Sequence, residues 1–170
     1  MLNKEVITQT RNATIGNLVG NAGITYWIKN ELPGIPSEGQ QGYIADFLFT
    51  GFMLPAILAI IFLFWFRRRA VRGEFVDDVI PNRFSLSWLP QGPWSAIGII
   101  GCLGLVVVAL PLGIYLLVAG AGPLSPLAFS MVKGFGCAIA TVIFVPIAVY
   151  HGVTIANTTQ LKSETTDAEV

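Results

Sequence analysis

Charged side chains are scarce in this chain of 170 residues. Asp, Glu, Lys and Arg make up 12% of it, about half the share that is usual in soluble domains. Hydrophobic residues make up 54%, so a water-soluble domain of this length would lack the polar surface needed to cover itself. The composition therefore predicts that lipid replaces water over most of the surface of the protein.

Residue sets that carry catalysis or bind metals are also missing from the sequence. The single histidine, His151, has no second ligand in view, and Cys102 and Cys137 lack the C-x-x-C spacing of a metal or redox site. There is no H-E-x-x-H motif and no glycine-rich phosphate loop after a strand. The net charge is zero, so attraction to nucleic acid has no support. We expect no enzyme activity, no cofactor, no metal and no nucleic-acid partner.

The stretch that covers residues 47–66 carries no charge. Its twenty residues are long enough to cross a hydrocarbon core of about 30 Å at roughly 1.5 Å per residue. Four arginines follow directly, Arg67, Arg68, Arg69 and Arg72. Because moving so much positive charge across a membrane is unfavourable, this cluster predicts the cytoplasmic side.

Hydrophobic runs separated by Gly- and Pro-rich loops divide the chain into four predicted spans, about residues 12–29, 44–66, 94–119 and 127–153. We predict an all-α membrane protein whose four transmembrane helices form a small bundle, as two in–out–in hairpins with cytoplasmic N and C termini. Residues 1–157 are then a single four-helix transmembrane domain, and residues 158–170 are a polar C-terminal tail. In span number and loop style the pattern resembles small bacterial inner-membrane proteins, which implies a multi-pass protein of the bacterial cytoplasmic (inner) membrane.

Four polar residues form a candidate cluster within the membrane. Asn17 and Asn21 share one face of the first span, where the amides either bond across to a neighbouring helix or line a path for a solute. Lys133 lies about seven residues, or roughly 10 Å, from the outer end of the fourth span, and Asp46 begins the second span at a similar level. Lys133 is expected to pair with Asp46 or with an amide of the first helix, to snorkel to the headgroups, or to line an ion path.

Glycines mark the faces through which the helices are expected to pack. Gly16 and Gly20 form a G-x-x-x-G in the first span, and Gly98, Gly101 and Gly104 recur at every third position of the third span. Small residues at such positions allow two helix backbones to approach closely.

Two classes of function are consistent with these features. The first is a structural or accessory subunit that packs with itself or with a larger membrane complex. The alternative is a transport or channel component, with a polar path along Asn17 and Asn21 and past Lys133 and Asp46. The expected partners are the lipid bilayer and either a second copy of the chain or another membrane protein.

We expect a reporter fused directly after Arg72 to stay in the cytoplasm, because the four arginines resist translocation. The measurement is the activity of a reporter that works on only one side of the membrane, compared with the same reporter fused after Lys29, in a loop predicted to lie outside. Activity of the Arg72 fusion outside the cytoplasm would contradict the predicted topology.

Overall fold

The computed structural model describes residues 1–39, 42–75, 86–120 and 122–167, with the backbone alone from residue 160 onward. These residues contain four long helices: α1 (Leu2–Lys29), α2 (Tyr43–Val71), α3 (Pro93–Val118) and α4 (Pro126–Asp167). The chain is all-helical as predicted, apart from loops and one isolated backbone bridge among the residues described.

One end of the bundle carries residues 67–72 and is called the arginine end. The start of α1 lies here beside the later part of α4, since the Tyr150 hydroxyl donates to Asn3 Oδ1 at 2.7 Å. The start of α3 meets the end of α2 through the rings of Trp94 and Phe64, whose centroids are 5.4 Å apart. Successive helices therefore run in opposite directions.

The other end is called the bridge end, because the loop after α1 joins the loop after α3 there. The backbones of Ile35 and Leu124 exchange two hydrogen bonds of 2.8 and 2.9 Å. Ile35 is completely buried in a small apolar cluster that includes Tyr43, Phe47 and Phe129. This cluster closes the bundle at the end away from the arginines.

Three of the helices are long and apolar enough to cross a membrane: Tyr43–Val71, Pro93–Val118 and the Pro126–Thr159 part of α4. They correspond to three of the four predicted spans. The predicted first span, residues 12–29, lies in α1, which is long enough but does not have that apolar composition. Composition therefore supports three spans and does not support the predicted count of four.

Helix α1 begins at Leu2, ten residues before the predicted start of the first span. Leu2 and Val6 are buried in the main apolar core, and Glu5 forms an ion pair with Arg69 of α2. These contacts hold residues 2–11, which precede the predicted span, against the bundle as part of the helix. At the other end of the chain, α4 continues to Asp167 and takes in most of the predicted tail, residues 158–170.

Helices α2 and α3 approach each other at small residues. A methyl group on Gly104 would overlap the Pro55 ring and the carbonyl oxygen of Gly51, and one on Gly101 would lie 2.9 Å from the Phe52 ring. Pro55 has no N–H for the carbonyl of Gly51 four residues earlier. The glycine at position 104 leaves room for the helix distorted by this proline.

Pro111 explains an irregular turn inside α3. It has no N–H for the carbonyl of Val107, so the ordinary helical hydrogen bond cannot form there. The chain takes a π-turn over Leu105–Ala109, in which the Leu110 N–H donates to the Leu105 carbonyl, five residues back. One wider turn of the helix thus accommodates the hydrogen bond that this proline cannot make.

We expect Gly104→Ala to destabilise the protein by about 1–3 kcal/mol, because the added methyl group forces α3 away from α2. Gly98→Ala is the matched control on the same helix, since nothing lies within 4 Å of a methyl group at that position. The measurement is thermal unfolding of both variants in detergent. Equal melting temperatures for the two variants would contradict the close contact at Gly104.

Candidate functional site

The two predicted amides form a hydrogen-bonded chain between α1 and α4. Asn21 Nδ2 donates to Asn17 Oδ1 at 3.0 Å, and Asn17 Nδ2 donates to Thr141 Oγ1 at 3.0 Å. The Thr141 hydroxyl, which is completely buried, donates in turn to the carbonyl of Cys137 at 2.7 Å. The amides therefore link two helices, which is how polar side chains commonly hold membrane helices together.

The predicted charged pair lies between α4 and α2, nearer the bridge end. Lys133 Nζ lies 2.9 and 2.7 Å from the two carboxylate oxygens of Asp46. The Lys133 side chain is 15% exposed and that of Asp46 is 34% exposed, so the pair is shielded on the lysine side and open on the aspartate side. The amine also lies 5.9 Å from the centre of the Phe129 ring. Of the arrangements that the sequence left open for Lys133, the structure contains the pair with Asp46.

These two polar groups do not form one continuous cluster. Lys133 and Thr141 are eight residues apart on α4, a distance of roughly 12 Å along the helix axis. A cavity of about 20 Å³ lies beside Lys133 and Cys137, next to the π-turn of α3. That volume holds about one water molecule. The walls of this cavity include neither Asn17 nor Asn21.

A larger groove lies between α1 and α4, closer to the arginine end. Its volume is about 570 Å³, and its walls combine apolar residues with several polar ones. The polar residues along it are Asn3, Thr10, Arg11, Thr14 and Tyr150. The hydroxyl of Thr10 is buried there with no hydrogen-bond partner among the residues described. The groove therefore offers one unsatisfied polar group, the Thr10 hydroxyl, on a largely apolar flank.

The glycine face of α1 points away from the bundle. No atom lies within 4 Å of a methyl group built on Gly16 or Gly20. Helix α1 instead approaches α4 at Gly134, where a methyl group would lie 2.9 Å from both the Ala22 Cβ and the Leu18 carbonyl oxygen. The small residue that permits close contact between these helices is therefore on α4, and the predicted pair on α1 is left uncovered.

Arg69 differs from the other arginines of its cluster. Its guanidinium forms ion pairs with Glu5 of α1 and with Glu74, the latter at 2.6 Å. It also lies 5.3 and 5.0 Å from the centres of the Phe66 and Phe75 rings. These contacts fasten α1 to the end of α2, so Arg69 has a packing role in addition to its predicted effect on topology.

The remaining three arginines are more open. Arg68 and Arg72 are exposed and Arg67 is half-buried, and the three line a recess of about 390 Å³ together with Phe64 and Val71. Such a surface is typical of the headgroup layer on the cytoplasmic side of a membrane.

The cysteines and the histidine do not form a site with acidic residues. Both cysteines are free, with Cys102 exposed and Cys137 buried. His151 is buried, and its Nε2 lies 3.0 Å from the Pro90 carbonyl, to which it donates. In the described part of the chain, no group of three or more His, Cys, Asp and Glu side chains is arranged to hold a metal ion.

Two residues of these networks were not identified from the sequence. Thr141 was missed, although it follows Lys133 by eight residues and therefore lies on the same side of α4. Glu5 was also missed, because it lies before residue 12, where the predicted first span begins. For Thr141 the available signal was its helical spacing from Lys133, whereas the partner of Glu5 lies on another helix.

Comparison with known proteins does not assign a function to this arrangement of helices. No protein-family model matches the chain, and neither curated proteins nor solved structures match it. A function has to be inferred from the chemistry and packing of the helices themselves.

We expect Lys133→Gln to destabilise the protein by roughly 1–3 kcal/mol, because it leaves the Asp46 carboxylate without its charged partner. The double variant Lys133→Gln, Asp46→Asn should lose less, since neither neutral side chain leaves an unpaired charge. Thermal unfolding in detergent, analysed as a double-mutant cycle, provides the measurement. Strictly additive effects would mean that the pair contributes nothing to stability.

Proposed function

We propose that this protein is a structural or accessory subunit of a larger assembly in the bacterial cytoplasmic membrane. In this proposal it crosses the membrane four times, and both termini lie on the cytoplasmic side with the arginines. The proposal rests on one observation. Helix α1 runs between the same two ends as the apolar helices, but its outward face carries polar and charged side chains.

The contacts of α1 follow α4 from one end of the bundle to the other. Asn3 bonds to Tyr150 near the arginine end, and Ala22 packs against Gly134 toward the bridge end. With 28 residues, α1 is roughly 42 Å long, which exceeds a hydrocarbon core of about 30 Å. A bilayer that encloses α2, α3 and α4 therefore also surrounds α1.

The exposed stripe of α1 is poorly suited to lipid. Lys4, Thr8 and Arg11 follow one another at spacings of four and three, and all three are exposed. Ile15 and Val19 continue the stripe and are also exposed. Polar side chains within the hydrocarbon region need partners. The Thr8 hydroxyl already donates to the Lys4 carbonyl, but Arg11 has no acidic partner among the described residues. Another protein lying against this stripe would supply one.

A transport or channel component is the second candidate. It is favoured by the water-sized cavity beside Lys133, because a charged residue beside a hydrated space is a common feature of ion paths. The amides favour the structural role, since Asn17 is bonded to Thr141 of the neighbouring helix. Vesicles containing the purified protein discriminate between the candidates: an ion leak that Lys133→Gln abolishes would support transport.

The accessory role is tested by cross-linking in native membranes. A variant lacking Cys102 and Cys137 receives a single cysteine, either Val19→Cys on the outward face of α1 or Ile114→Cys on α3, and the cysteine is labelled with a photoreactive benzophenone. The native side chains are 65% and 57% exposed, respectively, which makes them a matched pair.

The two positions also lie at similar depth, within about one helical turn of Asp46. This follows because Ala22 packs near Gly134, beside the Lys133–Asp46 pair, and Ala109 packs against Gly51. We expect the label at position 19 to form protein adducts and the label at position 114 to form lipid adducts. Lipid adducts alone at position 19 would contradict the accessory role.

A further inference from the structure

We propose that the outward stripe of α1, which consists of Lys4, Thr8, Arg11, Ile15 and Val19, docks against a membrane helix of a different protein, and that this helix presents a carboxylate to Arg11. The inference rests on the accessory role proposed above and adds the chemistry of the partner.

The depth of Arg11 is fixed by its neighbours. Asn3 bonds to Tyr150 and Asn17 bonds to Thr141, so Arg11, which lies between these contacts on α1, is near the level of Pro146 on α4. Pro146 precedes Gly152 by six residues, and Gly152 packs against the backbone of Leu63. Because α2 and α4 run in the same direction, Arg11 lies about ten residues, or roughly 15 Å, from the level of Arg67. That is about half the thickness of a hydrocarbon core of about 30 Å.

Arg11 has no counter-ion within the described part of the chain. The one acidic side chain of α1, Glu5, is held by Arg69, and no described acidic group pairs with Arg11. Snorkelling toward the arginine end shortens the distance to water only in part. Phosphate groups of lipids lie in the headgroup layer, outside the hydrocarbon core. A carboxylate carried by another transmembrane helix can lie at the depth of Arg11.

A second copy of this chain is a poor occupant of the stripe. In a two-fold symmetric pair of copies with the same topology, the axis lies along the membrane normal and brings the same face together at equal depth. Arg11 would then lie against Arg11, and Lys4 against Lys4, with like charges in a medium of low dielectric constant. The charge pattern therefore favours an acidic partner that differs from this chain.

The surroundings of Arg11 suit such a helix. On the bridge-end side, Gly16 and Gly23 flank the stripe, and no atom of another helix lies within 4 Å of a methyl group built on either. A partner backbone can therefore approach closely. On the other flank, the groove of about 570 Å³ has room for partner side chains, and Thr10 in its wall has a hydroxyl without a described partner. A carboxylate entering at this rim would accept hydrogen bonds from the Arg11 guanidinium.

The experiment uses the full chain in native membranes with the benzophenone label at position 19. We expect Arg11→Gln to reduce the yield of the protein adduct at least ten-fold and Arg11→Lys to keep most of it, because lysine keeps the charge. Arg68→Gln is the matched control, since Arg68 is an exposed arginine on a different helix, and it should leave the yield unchanged. The thermal stability of each purified variant separates lost docking from lost folding.

The pairing itself is tested by charge reversal. The cross-linked peptide identifies the partner helix, and its carboxylate is replaced by lysine. We expect Arg11→Glu to abolish the adduct and the partner's lysine variant to restore it, a rescue that a merely unstable α1 would not give.

The possible failures are distinguishable. A hetero-adduct whose yield does not depend on Arg11 overturns the inference and leaves the accessory role standing. An adduct of two copies of this chain also overturns it, while remaining consistent with a subunit that packs with itself. Lipid adducts alone at position 19 overturn both proposals.

Discussion

Helix α4 holds the bundle together through polar links to two neighbours. Asn17 of α1 bonds to Thr141, and Asp46 of α2 pairs with Lys133. In surroundings of low dielectric constant such groups are costly without partners, so each link permits only a narrow range of helix registers. A shift of α4 by one residue would turn Lys133 by about 100° away from Asp46. The positions of α1 and α2 on either side of α4 depend on these links.

Small residues set the second constraint, which is how closely the helices approach. Gly134 and Gly152 of α4 lie against the backbones of α1 and α2, and Gly104 of α3 lies beside Pro55. The two prolines within α2 and α3 distort their helices, and a glycine or a π-turn accommodates each of them. Polar links determine which faces meet, while glycines determine the distance between backbones.

Much of this arrangement could be predicted from the sequence, because the signals are local. Long apolar runs predict helices. A charged residue within such a run, Lys133, predicts a partner of opposite charge, and Asp46 is that partner. Which glycines contact another helix could not be predicted from the sequence. Gly16 and Gly104 are equivalent as sequence features, yet one is uncovered and the other lies against α2, because the direction a helix face points is decided by tertiary packing. The early start of α1 likewise depends on Arg69, which lies far away in sequence.

The link between Ile35 and Leu124 has a consequence for biosynthesis. A membrane protein is made from its N terminus, so the loop after α1 emerges long before Leu124 exists to accept and donate its two backbone hydrogen bonds. Asp46 and Asn17 likewise have no partner until their partner residues of α4 have been made. The nascent chain therefore passes through a stage in which the first three helices have polar groups without their partners, and synthesis of α4 supplies those partners.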